Sequence, residues 1–366
     1  MSTACILDIH TAVPEHAYSQ EFALEFLSSL PVFGEKERQF LQRLYRGTGI
    51  ERRHTVIGDY GKDPADFRFF PPSADLRPEP GLQQRNDLYI TEAKRLSARA
   101  AAGLMEGLDS VEPGSITHLI TVSCTGFSAP GFDFHVVREL GLRQGVQRYH
   151  LGFMGCYAAV PALRLAEGIC RAQPGSRVLI VALELCSVHF QQSVDRESMV
   201  AHSLFADGAA ACLVAARPKA FTRPVLELKG FLCRILEGSE QDMAWTIGRS
   251  AFDMKLSASV PREIQKAIAV VVRELGAQVG IDGSGFDLWA IHPGGRAILD
   301  RVAGALELPR ESLWASYEVL RRYGNMSSAT ILFVLELLLR DRAQGTIFAA
   351  AFGPGLTLES ACLEKR

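Results

Sequence analysis

Five apolar runs of strand length constrain this chain most: residues 117–123 (THLITVS), 177–183 (RVLIVAL), 210–215 (AACLVA), 287–291 (DLWAI) and 346–352 (TIFAAAF). They do not alternate apolar with polar, as a strand with one wet face would, so both faces must be covered by other elements. Between them lie helical stretches. Over 157–172, Val160, Leu163, Ala166 and Cys170 share one face, Arg164, Glu167 and Arg171 mark another, and Pro174-Gly175 closes the segment. Helices on both sides of buried strands predict a layered α/β architecture. The apolar stretch 329–339 carries Glu336 and is too short to span a bilayer, so it reads as a buried helix.

Two segments break the pattern. Residues 58–86 hold Pro64, Pro71, Pro72, Pro78 and Pro80, which predicts a long extended loop before a helix near 89–102. Its expected character is a solvated insertion without a catalytic role. The composition shifts again at 217–224 (RPKAFTRP), which marks the boundary between an N-terminal half, 1–216, and a C-terminal half, 217–366. A net charge of −2 gives no global attraction to nucleic acid or anionic membrane. The eight cysteines include no C-x-x-C pair, and no H-E-x-x-H occurs, so neither a disulfide framework nor a metal site is expected. The chain opens without a secretory signal pattern, which predicts reduced thiols and a cytoplasmic protein.

In three places a reactive or polar side chain stands where a structural element starts or stops. Cys156, in LGFMGCY (151–157), precedes a helix, whose free N–H groups and dipole favour a thiolate. His292 ends the run DLWAIH ahead of Pro293-Gly294-Gly295. Asn325 lies in YGNMSSAT (323–330), before the apolar helix. Each taken alone also fits a structural role: a buried thiol, a core histidine, a turn or cap residue. Together they suit two chemistries. A papain-like protease has this chain order, but its signature around the cysteine is absent and Cys156 lies mid-chain. The other is decarboxylative condensation, in which the thiolate holds an acyl group while His and Asn donate to a malonyl thioester carbonyl and stabilise the enolate oxyanion. On that reading His292 also steadies the thiolate as imidazolium, and neutral Asn325 serves only the carbonyl.

The motifs VSCTGFSAPG (122–131), GFMGCYAA (152–159), SLFADGAAA (203–211), IHPGGRAILD (291–300), YGNMSSAT (323–330) and FGPGLTLE (352–359), in this order along the chain, resemble the chalcone and stilbene synthase superfamily, the type III polyketide synthases. The resemblance implies a thiolase-like α/β fold of two similar halves in a five-layered αβαβα arrangement. It further implies a homodimer and no metal or organic cofactor, with coenzyme A thioesters as substrates. Cys156 matches the nucleophile, and His292 and Asn325 match its partners. Phe205 matches an aromatic gatekeeper, Gly353-Pro354-Gly355 a loop shaping the cavity, and Ser327 a cavity-side serine. Arg43 aligns with a basic residue used for coenzyme A phosphates. Arg46 is expected to compensate where Phe40 and Gly47 replace lysines. Cys124 and His189 stand where plant chalcone synthases have threonine, Ala129 replaces a methionine that crosses the dimer interface, and Met254 stands near a second gatekeeper phenylalanine. Small residues at 124 and 129 and a flexible Met254 suggest room for an aliphatic starter, against which His189 adds bulk. Segment 58–90, with RPEPGLQQRNDLY (77–89), is similar to bacterial members acting on fatty-acyl starters.

The implied activity is condensation of malonyl-CoA onto a fatty-acyl starter, carried by coenzyme A or an acyl carrier protein, with release of alkylpyrones or alkylresorcinols. Two alternatives stay open at this point: an initiating β-ketoacyl-carrier-protein synthase making a single condensation, and a catalytically silent acyl-thioester-binding protein.

Overall fold

The computed structural model describes residues 3–108, 111–217, 221–282 and 285–366. Part of the boundary expected at 217–224 therefore lies outside the described residues. The N-terminal half contributes strands β1 (Ala4–Ala12), β4 (His118–Ser123), β5 (Gln147–Gly152), β6 (Arg177–Leu185) and β7 (Asp207–Ala216) to the main sheet, with a small pair β2 (His16–Ser19) and β3 (Arg52–Thr55) beside it. The C-terminal half contributes β8 (Leu226–Ile235), β11 (Leu288–Ile291), β12 (Gly345–Gly353) and β13 (Thr357–Lys365), plus the hairpin β9 (Met243–Ile247) and β10 (Phe252–Leu256). All five expected runs are strands, displaced at their ends by a few residues at most.

The strand order β11-β12-β13-β8-β1-β7-β6-β4-β5 contains a repeat. Going outward from the centre, β1-β7-β6-β4 are antiparallel, antiparallel, then parallel, and β8-β13-β12-β11 follow the same sequence of directions. Within the main sheet, the two halves are joined where Cys5 and Ile6 of β1 pair with Glu227 and Leu226 of β8.

Strand alternation then builds the layers. Ile120, Val122, Val178, Ile180 and Ala182 of the first half, and Ile347, Ala349 and Ala351 of the second, share one core with α5 (Ala159–Ala172) and α10 (Thr330–Arg340). Their neighbours point the other way. Leu119, Leu179, Val181 and Leu183 pack on α3 (Leu82–Glu106) and α4 (Phe132–Glu139). Trp289, Ile291, Phe348 and Phe352 pack on α7 (Val260–Val279) and α8 (Arg296–Ala305). The layers are helix, half-sheet, helix, half-sheet, helix, the five-layered thiolase-like fold. The continuous apolar runs are explained: both faces of each half-sheet are covered.

A satellite core lies beside this body. It joins α1 (Gln20–Ser29), α2 (Glu35–Gly47), Met199 of α6 (Arg196–Leu204) and the proline-rich segment. That segment is no solvated insertion. Phe69, Phe70 and Leu76 are buried in it, and the Asp59 carboxylate accepts from the N–H groups of Arg68, Phe69 and Phe70. Its prolines hold an extended path from which large side chains point inward, so a loop in secondary structure is a core element in packing. Ahead of α10, the helix α9 (Trp314–Tyr323) leads into Gly324 and Asn325.

Candidate active site

Cys156 does not lie in the helix proper but in a turn, three residues ahead of α5, that follows β5. Gly155 adopts φ +82°, and a Cβ there would fall 2.5 Å from Pro354 Cδ. A Cβ on Gly353 would fall 2.5 Å from the Tyr157 ring and 3.3 Å from the Cys156 nitrogen. The Gly353-Pro354-Gly355 loop thus lies directly against the nucleophile turn, and only glycine permits the approach. Burial pushes the Cys156 thiol up to about 12, while the neighbouring polar side chains of Ser327 and Asn325 act to lower it.

Asn325 is tied on several sides. Its backbone N–H donates to Leu204 O (2.9 Å), and Ala206 N–H donates to its carbonyl (2.8 Å), which fixes it against the backbone of Phe205. Its Nδ2 donates to Gly294 O at 3.3 Å, and its Oδ1 accepts the N–H of Ser327 at 2.8 Å. Ser327 needs that anchor, since it holds φ +47°, a left-handed conformation disfavoured for serine. Besides any part in holding the substrate carbonyl, Asn325 thus sets the backbone of the serine that follows it.

His292 follows β11, and its N–H donates to Ala350 O at 2.8 Å. The ring is 1% exposed, and neither Nδ1 nor Nε2 has a hydrogen-bond partner among the described residues. Burial alone pushes it down to about 3, and an isolated charge on the ring has no acceptor to satisfy it. Orphaned buried polar atoms of this kind are rare in folded proteins and point to a partner that arrives from outside.

One cavity reaches Cys156. Its wall includes Cys124, His189, Phe205, Met254, Ser327 and Pro354; His292 and Asn325 are not part of that wall. His189 spends both ring nitrogens on the protein, Nε2 on Thr125 O (2.8 Å) and Nδ1 on the N–H of Phe252 (3.1 Å), and its ring stacks on Phe252 at 4.2 Å. It is a wall rather than a polar lure, and burial pushes its pKa down to about 4. Ala129 is not brought into this cavity; it is exposed next to Phe127. Arg43 and Arg46 lie on the exposed side of α2, outside the cavity.

Sequence reasoning missed two parts of the site. From Phe205 and from Ala201 and Ser198 of α6 the cavity continues to Tyr18, Phe22, Phe26 and Tyr60, an aromatic arm supplied by β2, α1 and the proline-rich segment. The second is Glu184, fully buried at the end of β6, whose carboxylate accepts from Cys124 N–H, Thr125 Oγ1 and Ser328 Oγ. The signal was a carboxylate inside the apolar run RVLIVALEL. Among the described residues, no cluster of His, Cys, Asp and Glu is arranged to hold a metal ion.

Residues 1–218 match the family described as chalcone and stilbene synthases, N-terminal domain, and residues 227–365 its C-terminal domain. The chain is 33% identical, over 98% of its length and 90% of the relative, to the alpha-pyrone synthesis polyketide synthase-like Pks18 of Mycobacterium tuberculosis. It is 35% identical to type III polyketide synthase 21 of Oryza sativa subsp. japonica, covering 97% of this chain and 92% of that one. Among solved structures, PKS-I from the brown alga Ectocarpus siliculosus superposes with a TM-score of 0.92 at 28% identity, covering 100% of this chain and 99% of that chain.

Proposed function

Because this chain belongs to the chalcone and stilbene synthase family and is a type III polyketide synthase, an acyltransferase, we propose that it condenses malonyl-CoA onto a fatty-acyl starter held on Cys156 and releases alkylpyrones or alkylresorcinols. Cys156 Sγ attacks the starter thioester, the acyl–sulfur bond to coenzyme A breaks, and the acyl group passes to the enzyme. Malonyl-CoA then loses CO2, and the resulting enolate oxygen is stabilised by donors from His292 and Asn325, worth about a hundredfold or more in rate for each. The enolate carbon attacks the Cys156 thioester and expels the thiolate, which leaves a β-ketoacyl-CoA extended by two carbons. The orphaned nitrogens of His292 support its role, because a bound carbonyl would give them a partner.

The observation that carries the starter assignment is the apolar arm running from Phe205 to Phe22, Phe26 and Tyr60. A chain of methylenes buried there gains about 0.8 kcal/mol per CH2. The related Mycobacterium tuberculosis protein, described as an alpha-pyrone synthesis enzyme, supports the same product class. Arg43 and Arg46, exposed on α2, are assigned to coenzyme A phosphates. The reading includes a homodimer through the face bearing Ala129 and the exposed Phe127, Phe134 and Tyr149; a monomer mass by light scattering would refute that part. It also includes a reducing, cytoplasmic setting, supported by a nucleophile that must remain a thiol, and no cofactor beyond its thioester substrates.

The test is mass spectrometry of products from a panel of acyl-CoAs with malonyl-CoA, alongside peptide mapping of the acyl-enzyme. Alkyl triketides or tetraketides and label on Cys156, absent in Cys156→Ala, are expected. Acyl label on another cysteine would overturn the site, and preference for acetyl or aromatic starters would overturn the starter.

A further inference from the structure

A starter chain that fills the aromatic arm displaces water from the polar atoms of its wall, which is costly for any atom left without a partner. Most of those atoms are already committed. Thr55 Oγ1 donates to Ser187 Oγ at 2.7 Å, and Ser187 Oγ donates to Asp207 Oδ2 at 2.5 Å. Ser198 Oγ donates to Asp195 and Gln191 Nε2 to Asp253, while Arg53 directs Nε at Gln20 and Nη1 at the carbonyls of His202 and Phe205. The Tyr60 hydroxyl and His202 Nδ1 stand apart. Tyr60 lines the cavity edge-on to Phe26 at 5.1 Å, and its hydroxyl makes no hydrogen bond among the described residues. Burial pushes that hydroxyl well above its usual range, so it stays protonated and offers a donor. His202, also in the wall, donates from Nε2 to Gln191 O at 2.7 Å. A carbonyl can only accept, so the ring proton sits on Nε2, and Nδ1 is a lone pair without a partner among the described residues. Burial pushes this ring down to about 4, which keeps it neutral. One run of rings joins the two residues: Tyr60 to Phe70 at 5.7 Å, Phe70 to Phe190 at 6.3 Å, and Phe190 to His202 at 4.8 Å. Both are partly exposed and both line the cavity, whereas the orphaned nitrogens of His292 are sealed.

We infer that the arm is built for a hydroxylated acyl chain, in which a hydroxyl along the starter takes Tyr60 as donor or His202 Nδ1 as acceptor. A hydroxyl suits this wall because it both accepts and donates. A ketone can use Tyr60 alone, and a plain alkyl chain can use neither, so it leaves a dehydrated donor and a dehydrated lone pair behind. The aromatic rings between the two groups hold the methylenes, and the polar pair fixes how far along the chain the oxygen falls, the division of labour usual in a largely apolar pocket. Tyr60 and His202 are specificity-determining residues on this account. They touch the starter remote from Cys156 and take no part in bond making.

The inference rests on the proposed reading that a fatty-acyl starter occupies the arm. Its test is competition in the full-length enzyme between tetradecanoyl-CoA and a set of hydroxytetradecanoyl-CoAs carrying the hydroxyl at successive carbons, with malonyl-CoA, read by mass spectrometry of products. At least one isomer should be preferred over the plain chain by about tenfold, the worth of one net hydrogen bond. Tyr60→Phe removes the donor and keeps the ring; His202→Phe removes the acceptor and keeps a ring. The preference of a given isomer should collapse to about one in at least one of these variants, and thermal melts identify a variant that does not fold. No isomer preferred over the plain chain by the wild-type enzyme would overturn the inference, and that measurement needs no variant. A preference that persists in both variants would overturn it as well. Preference for acetyl or aromatic starters would instead sink the starter reading beneath it, so the two failures are distinguishable.

Discussion

Ala201→Phe tests the aromatic arm directly. Ser198, Ala201, His202 and Phe205 share one face of α6 and its end, and all four line the cavity. The Phe205 N–H donates to Ala201 O at 3.0 Å, so Ala201 stands one helical turn beyond the gate. From Ala201 to Ser198 the helix rises by about 4.5 Å, and the arm continues past it to α1. A phenyl ring at 201 should therefore exclude roughly three or four methylenes of a long starter. At about 0.8 kcal/mol each, the loss is about 2.5–3 kcal/mol for a chain that needs the arm and about zero for one that ends before it. Since 1.4 kcal/mol is a factor of ten, long starters should lose about a hundredfold in kcat/KM while short ones are spared. The assay is direct competition between hexanoyl- and tetradecanoyl-CoA with malonyl-CoA, read by mass spectrometry of products. A uniform loss on both substrates would mean that the ring damages the fold or the gate. An unchanged ratio would mean that the starter does not occupy this arm. Either result refutes the reasoning.

Two further outcomes follow from the geometry. Asn325→Ala removes a donor for the malonyl carbonyl, a polar side chain that acts to lower the Cys156 thiol and the anchor of Ser327. Malonyl-CoA decarboxylation should drop by about a hundredfold, and alkylation of Cys156 should slow as well; normal alkylation would show that Asn325 acts on the carbonyl alone. Acid should destabilise the protein through its buried histidines. Burial pushes His189 and His202 down to about 4, from an ordinary 6.5. The unfolded chain thus takes up protons that the folded one refuses, and stability is lost as pH falls from 6.5 to 4, at up to about 1.4 kcal/mol per pH unit for each ring. The melting temperature should fall across that window, and His189→Leu should flatten part of the slope; a melting temperature unchanged between pH 6.5 and 4 would contradict this.

Much of the fold was legible in the residues because its signals are local. Unbroken apolar runs such as RVLIVAL state that both strand faces are covered, and glycines at 152 and 155 before an amphipathic helix mark a turn that presents Cys156. Their places at the ends of elements made His292 and Asn325 candidates, and the order of the motifs matched them to Cys156. Local pattern could not say how the proline-rich segment packs, because proline spacing reports backbone path and not where Phe69, Phe70 and Tyr60 point. Nor could it show that Ala129 faces away from its own cavity, or that His292 is left without a partner, since burial is summed over neighbours from many elements. The link from Cys124 to Glu184 spans 60 residues and that from Cys124 to Ser327 spans 203. A thiol, a hydroxyl and a carboxylate so far apart in sequence carry no spacing that marks them as one group. Only the stacking of two half-sheets around α5 and α10 brings them within hydrogen-bond reach.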